Sequence, residues 1–394
     1  MINSRVLFTE EIDDPEIASE ELFSQAEGFE FQDSTVAILF MDVETVYAEL
    51  YEQLRTKWDF PIVAATAIGM LTDHLGYSRT GISVMLLTSS DCKFAAGMTE
   101  GVTCDNYIEP IKKTYEDLEK QLGGEEVKIA LLFSGRPDGM CGDDIVNALD
   151  KVGKKVKVFG ALASDMFSFA DFRVALNDRI VMNEQVFILV SGNVDPKILR
   201  VMSISGKANF SYEVTKSSAN LVYRLGNGTF LEALKNSGLG SDNELVAGEY
   251  IQTPFITKLK MPDGSEVEAL RNLARLDQKD GSGMFLGAIA EGTSLEIGLL
   301  NRDDVKSSVK QAFDEILAWL DKEGKDCKTI LCCSCSARFL ALGNNGIVEG
   351  ESYKDRLPED ISLMGLYSYG EFSPVGDEEW CNVFHNSTFT ILCI

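Results

Sequence analysis

The chain has 394 residues, with 36 Lys and Arg against 62 Asp and Glu, a formal net charge of −26. That balance excludes a basic, phosphate-seeking surface, so no nucleic-acid partner is expected. At 45% hydrophobic and 25% charged residues the composition is that of an ordinary folded protein with room for two domains. No apolar run approaches the roughly 18 to 20 residues that span a bilayer, and the longest, Val36 to Met41 and Pro61 to Met70, are strand-sized; no membrane insertion is expected. The first residues, Met1 to Arg5 followed by Glu10, Glu11, Asp13 and Asp14, lack the basic-then-apolar order of a signal peptide, so a cytoplasmic location is expected. Nine cysteines, an odd number with Cys332, Cys333 and Cys335 inside one apolar strand, read as reduced thiols. Two histidines, His74 and His385, are too few for a site of several imidazoles, and no metal centre is expected.

In chain order, residues 1–33 are an acidic arm whose charge suits either a solvated segment or a docking strip. A strand over Thr35 to Met41 leads into a helix capped by Asp42, whose apolar residues Val43, Val46, Tyr47, Leu50 and Leu54 recur with a 3.6 period. Strands at Pro61 to Ala67 and Gly81 to Leu87 precede a helix from Tyr107 to Leu122 that the Gly123-Gly124 pair ends. Val127 to Phe133 reads as a buried strand, followed by a turn-rich stretch and a helix capped by Asp143. Strands at Val156 to Leu162, Phe172 to Leu176, Arg179 to Met182 and Val186 to Val190 follow, with Asn177-Asp178 as a hairpin turn. The second half opens with a strand over Leu199 to Ser205 and a helix whose capping box is Thr229 with Glu232. Turns at Met261 to Ser265 and Asp280 to Gly283 punctuate strand-like runs as hairpins, and a long helix through Val305, Val309, Phe313 and Ile316 closes at Gly324. Thr329 to Ser334, Ile361 to Ser368 and Cys381 to Ile394 are the last strands.

The fold class this implies is α/β with mixed sheet direction (mixed α+β), in two sheet-containing domains with flanking helices, bounded at 34–215 and 216–394. The order strand, loop, helix, strand occurs once from Lys128 to Leu162 and again from Thr329 to Ser368, and a pseudo-duplication is one reading of this echo. Ligands of open α/β sheets bind outside the carboxyl ends of strands, which directs attention to loops 134–141, 163–171 and 335–351.

Cys335 stands where a strand turns into a helix; it is either a small buried side chain, a reactive thiol, half of a Cys332/Cys335 redox pair, or part of a soft metal site. Arg338, one turn into that helix, is at the end of the dipole a cation avoids, which suggests an anion holds it: a ligand carboxylate or Glu371. Tyr369, Gly370 and Glu371 end an apolar strand, with Gly370 allowing close backbone approach. His385 and Asn386 lie in the final segment, His385 serving as a core side chain, a general base, a ligand hydrogen-bonder or an axial haem ligand. Ser134, Asp138, Ser164, Asp165 and Glu349 occupy strand-end loops and are secondary pocket candidates. His74 has no partner motif and is read as structural.

The series Cys335-Ser336-Ala337-Arg338, an acid at Glu349 or Glu351, Gly365, Tyr369-Gly370-Glu371 and His385-Asn386, with Phe285-Leu286-Gly287 and Glu291-Gly292 upstream, resembles the FIST C domain. Lys157 to Ala161 with Ser164-Asp165 resembles the FIST N domain. The resemblance covers about residues 30 to 394 and implies a stand-alone sensory module of signal transduction that binds a small ligand such as an amino acid and signals through a separate protein such as a histidine kinase or receptor. It also carries an alternative, a haem-based nitric oxide sensor, for which His385 would be the ligand; otherwise no cofactor is expected. On residues alone, Arg338 and Glu371 would read the two charges of a zwitterion, with Tyr369, Gly370, His385, Asn386 and Cys335 completing the pocket. A third reading makes Cys335 a nucleophile and His385 its base, although nothing in the sequence demands catalysis.

Overall fold

The computed structural model describes residues 2–137, 139–239, 253–261, 264–324, 327–376 and 380–394. The fold is mixed α+β: three six-stranded sheets and one barrel. The first sheet runs Asn3–Thr9, Ile82–Ser89, Ser34–Met41, Ile62–Thr66, Val174–Leu176, Arg179–Val181. The second runs Cys381–His385, Glu371–Val375, Val158–Leu162, Val127–Ser134, Gln185–Gly192, Cys92–Met98. The third runs Lys197–Met202, Thr388–Cys393, Thr329–Cys335, Ser362–Ser368, Met70–Thr72, Gly76–Ser78. In the fourth, pairing of Gly206–Ser218 with both Ser294–Leu299 and Leu221–Leu225 closes the ring, and Phe210, Phe230, Phe255, Phe285 and Leu273 fill it.

Three strand pairs are parallel: Ser34–Met41 with Ile62–Thr66, Val127–Ser134 with Val158–Leu162, and Thr329–Cys335 with Ser362–Ser368. A helical crossover joins each pair, through Tyr47–Leu54, through Gly142–Lys151, and through Ser336–Ala341 with Ile347–Lys354. Strands covered on both faces read as unbroken apolar runs, as Ile129 to Phe133 does after the partly exposed Val127 and Lys128. Helix ends follow the capping chemistry. Thr229 and Glu232 form the expected box, Asn301 accepts from the N–H groups of Asp303 and Asp304, and Gly324 closes the Arg302–Glu323 helix at φ 59°.

Several expectations are corrected. The acidic segment 1–33 is not a detached arm: Asn3–Thr9 pairs with Ile82–Ser89, and helix Pro15–Ala26 buries Ala18, Ser19, Leu22 and Ala26 while its acids face outward. Asp42 caps a turn, accepting from Glu44, and the helix begins only at Tyr47. The Gly142–Lys151 helix is capped at Cys141 with Asp144 in the box, which frees Asp143 for another partner. Cys381 to Ile394 is not one strand: Cys381–His385 belongs to the second sheet and Thr388–Cys393 to the third, with Ser387 at φ 53° between them. Reduced thiols throughout is also corrected, since register places Cys393 beside the start of Thr329–Cys335 and a disulfide joins it to Cys327; the other seven cysteines are free. Pro262 and Asp263 of the expected turn lie outside the described residues, although the Pro254–Lys260 and Glu266–Leu276 strands pair as a hairpin.

Residues on either side of 215 share two sheets. After Ile62–Thr66 the chain crosses at 67–69 so that Met70–Thr72 pairs with Ser362–Ser368. After Ser362–Ser368 it crosses back at Tyr369-Gly370 so that Glu371–Val375 pairs with Val158–Leu162. Each half thus donates a strand to the other's sheet.

Candidate functional site

The crossovers meet at the carboxyl ends of the parallel strands, and most of the residues singled out from sequence converge there. Ser164 ties the meeting point together: its hydroxyl donates to Tyr367 O (2.6 Å), its oxygen accepts from Ile68 N–H (3.0 Å), and its own N–H donates to Thr66 O (2.9 Å). Gly370 has φ 146°, and a Cβ on it would come within 2.9 Å of His385 O, so the close approach expected of this glycine is present.

Above this floor lies loop 165–172. The Asp165 carboxylate accepts from Ser168 Oγ (2.5 Å), from the N–H groups of Phe169 (3.0 Å), Ala170 (2.9 Å) and Asp171 (2.9 Å), and from Tyr369 Oη. Burial raises its pKa, but these hydrogen bonds outweigh it and hold the carboxyl down to about 2. Tyr369 Oη in turn accepts from Phe167 N–H (2.9 Å). Phe169 stacks on Tyr369 at 4.3 Å between centroids and covers Cys335 and Ala337, while Phe167 stacks on Phe339 at 6.4 Å. Phe167 and Phe169 both hold positive φ, 64° and 54°, a conformation bulky L-residues rarely adopt.

Below it, Glu371 is wholly enclosed. Its carboxylate accepts from Ser368 Oγ (2.7 Å) and Thr388 Oγ1 (2.6 Å), and burial, opposed by those two hydroxyls and by Arg338, pushes its pKa up to about 8. Burial, reinforced by Glu371, raises the Cys335 thiol. His385 is opposite Glu371 in the pairing register; its Nε2 bonds Ser373 O (3.1 Å), and its Nδ1 has no partner among the described residues. Burial and then Arg200 hold its pKa well below the usual imidazole range. Asn386 is held by Asn272 N–H at 3.4 Å and donates to His385 O at 3.0 Å.

The family model for the FIST N domain matches residues 35–227, and that for the FIST C domain matches residues 231–374. The chain belongs to the FIST family. No curated protein matches it. FIST domains are sensory domains of signal transduction, and no helix among the described residues is long and apolar enough to cross a membrane.

Within this FIST fold, Arg338 is a core residue rather than one turned toward the crossovers. Its guanidinium pairs with Glu349 at 2.9 Å, both side chains being 0% exposed, and it also donates to Ser334 (3.0 Å), Ser308 (2.8 Å) and Ser203. The anion expected from its place on the helix is therefore Glu349, not Glu371, and Tyr367 Oη completes the same carboxylate at 2.7 Å. Glu349, a secondary candidate, thus belongs with Arg338. Ser134 is buried at its strand end and donates to Gly135 O (2.5 Å), whereas Asp138 lies outside the described residues. His74 is exposed beside Asp73 at 3.3 Å.

Sequence reading gave Asp143 only a capping role and missed Arg271. The Arg271 guanidinium, fully enclosed, pairs with Asp143 at 2.9 Å and donates to Phe384 O (2.9 Å) and Ala288 O (3.0 Å), while Ala288 N–H donates to Asp143 (2.7 Å). The pair bolts the barrel to the helix of the first half. The available signal was Arg271-Asn272 set between the apolar pairs Ala269-Leu270 and Leu273-Ala274. The covering aromatics Phe167, Phe169, Phe339 and Tyr77 carried no motif and were also missed.

Proposed function

We propose that the chain is a cytoplasmic sensory protein that binds a small ligand bearing an ammonium group, such as an amino acid, where loop 165–172 now sits. The observation that carries this reading is the loop itself. Two phenylalanines at positive φ cost of the order of 1 to 3 kcal/mol each and persist only where the surroundings hold them. What holds them is the ionised Asp165 carboxylate, which accepts from Phe169 N–H and from Tyr369 Oη, while Tyr369 Oη accepts from Phe167 N–H and its ring stacks on Phe169. A carboxylate beside aromatic faces is also the chemistry that recognises an ammonium group. A ligand that competes for Asp165 replaces the loop's N–H donors, relieves the strain, and uncovers Cys335 and Ala337. It shifts the population toward an open loop only by its differential affinity for that state. A separate signalling protein, such as a histidine kinase or receptor, then reads the loop.

Arg338 takes no part, because Glu349 and three serine hydroxyls already occupy it. The thiol-enzyme reading is weakened by a Cys335 thiol that burial raises and by a His385 bonded to Ser373 O. Haem fits poorly, since the His385 ring is fully enclosed and its Nε2 is committed.

Thermal unfolding with a panel of amino acids and simple amines tests the proposal. A ligand at about 100 times its Kd adds about 2.7 kcal/mol, a shift of a few degrees. The shift is expected to disappear in Asp165→Asn and to persist relative to the lowered baseline of Arg338→Met. No stabilisation by any compound, or a Soret band on haemin addition that is lost in His385→Ala, overturns it.

A further inference from the structure

The first half of the fold has a strand end of its own, and among the described residues the cation there has no partner. Val127–Ser134 is followed by Gly135 and Arg136, whose N–H groups donate to Glu184 O (3.0 Å) and Met182 O (2.9 Å). A Cβ at Gly135 would stand 2.1 Å from Met182 O, so only glycine lets the two segments touch. Arg136 lies at the wall of a crevice of about 640 Å³, formed also by Val102, Thr103, Cys104, Pro137 and Val181 to Asn183. That volume lies within the range of small-molecule sites.

Among the described residues the Arg136 side chain has neither an ion pair nor a hydrogen bond. The contrast with its neighbours is informative. Arg179 is matched by Glu100 (3.0 Å) and Glu184 (3.8 Å), and Arg338, at the corresponding strand end of the second half, by Glu349. Arg136 shares the crevice wall with the apolar side chains of Val102, Pro137, Val181 and Met182 and the polar ones of Thr103 and Asn183.

We infer that this crevice is a second binding site, independent of loop 165–172, for a small organic carboxylate with an apolar body. The guanidinium fork takes the carboxylate in two parallel hydrogen bonds, and Val102, Pro137, Val181 and Met182 receive the hydrocarbon.

Hexanoate is the probe, titrated calorimetrically into the full chain, with hexanol, hexylamine and matched sodium chloride as controls. Cys104, an exposed free thiol on the same wall, locates the event. Its alkylation by iodoacetamide, followed by peptide mass spectrometry, should slow by the factor 1 + [L]/Kd, about threefold at twice the Kd. Arg136→Gln should abolish both the binding heat and the protection, and Arg136→Lys should retain part of each. The urea midpoint of each variant, equal to that of the unaltered chain, establishes that it folds. Absence of heat and of protection up to the solubility limit overturns the inference. So does equal protection by hexanol, or protection that survives in Arg136→Gln, since either means adsorption without a carboxylate reader.

Discussion

Replacing Glu371 by Gln should remove a pH dependence of stability that the fold creates at its centre. Burial carries the Glu371 carboxyl from its ordinary 4.5 to about 8, with Ser368 and Thr388 donating to it. In the folded protein the acid is therefore protonated near neutral pH, whereas in the unfolded chain it is ionised. Between those two values the folded state holds one more proton than the unfolded state, so stability falls as pH rises from about 4.5 to about 8 and is level above. The slope is about 1.4 kcal/mol per pH unit, hence about 2 kcal/mol between about pH 6 and pH 7.5. His385 acts with the opposite sign: its folded pKa is depressed, so its contribution is present above its ordinary 6.5 and is lost as pH falls. Gln keeps the shape of the protonated acid and can donate to Ser368 or Thr388, but it does not titrate. Urea unfolding of both proteins at a series of pH values, taken as a difference, cancels the histidine and leaves the glutamate. A difference that stays flat across the window refutes a buried, neutral Glu371.

Arg338→Met strands the Glu349 carboxylate in the core and should cost about 3 to 5 kcal/mol in denaturant unfolding. Adding Glu349→Leu should recover a large part of that loss, and a double variant no more stable than the single one contradicts the pairing. Asp143→Ala should cost a similar amount, about 3 to 5 kcal/mol, by leaving Arg271 unpaired between barrel and helix, read from the urea midpoint. Iodoacetamide near neutral pH should modify Cys104 and spare Cys335 in the native protein; equal rates at the two thiols would show that the loop does not cover Cys335. Thr229→Ala removes the cap of the barrel helix and should lower stability by about 1 kcal/mol, against no change if the box is ornamental.

Local signals carried much of the fold. Periodicity marked the Ile108–Gln121 and Arg302–Glu323 helices, Gly123 and Gly324 ended them, and Asn177-Asp178 turned its hairpin with Asn177 at φ 55°. Where two side chains compete for one local role, sequence reading failed. Asp143 reads as the helix cap, but Cys141 holds that position with Asp144 three residues on in the box, and Asp143 pairs with Arg271, 128 residues away. Arg338 shows the same limit. Its place at the wrong end of a helix dipole pointed correctly to an anion, but many carboxylates lie downstream, Glu349, Glu351 and Glu371 among them, and the choice of Glu349 over Glu371 depends on packing across 11 residues that spacing does not encode. The acidic N-terminal segment was misread because its charges dominate the composition while four small or apolar residues of its helix make the contact.

The exchange of strands between the halves explains why candidates chosen from distant parts of the chain gather in one place. The links are short: residues 67–69 carry the chain from the first sheet to the third, and Tyr369-Gly370 carry it from the third to the second. So short a link needs a residue able to turn without a side chain, and Gly370 at φ 146° against His385 O supplies it. The residues flanking such a link are then fixed in two sheets at once: Tyr369 meets Asp165 on one side, and Glu371 meets Thr388 of the other sheet on the next. The polar side chains around the crossover are consequently buried and, apart from His385 Nδ1 and Ser373 Oγ, hydrogen-bonded, and a buried polar cluster is costly for a core unless nearly every donor and acceptor is matched. Glu371 meets that demand by remaining protonated, and His385 by remaining neutral, so the charge state of the junction is set by the topology that created it.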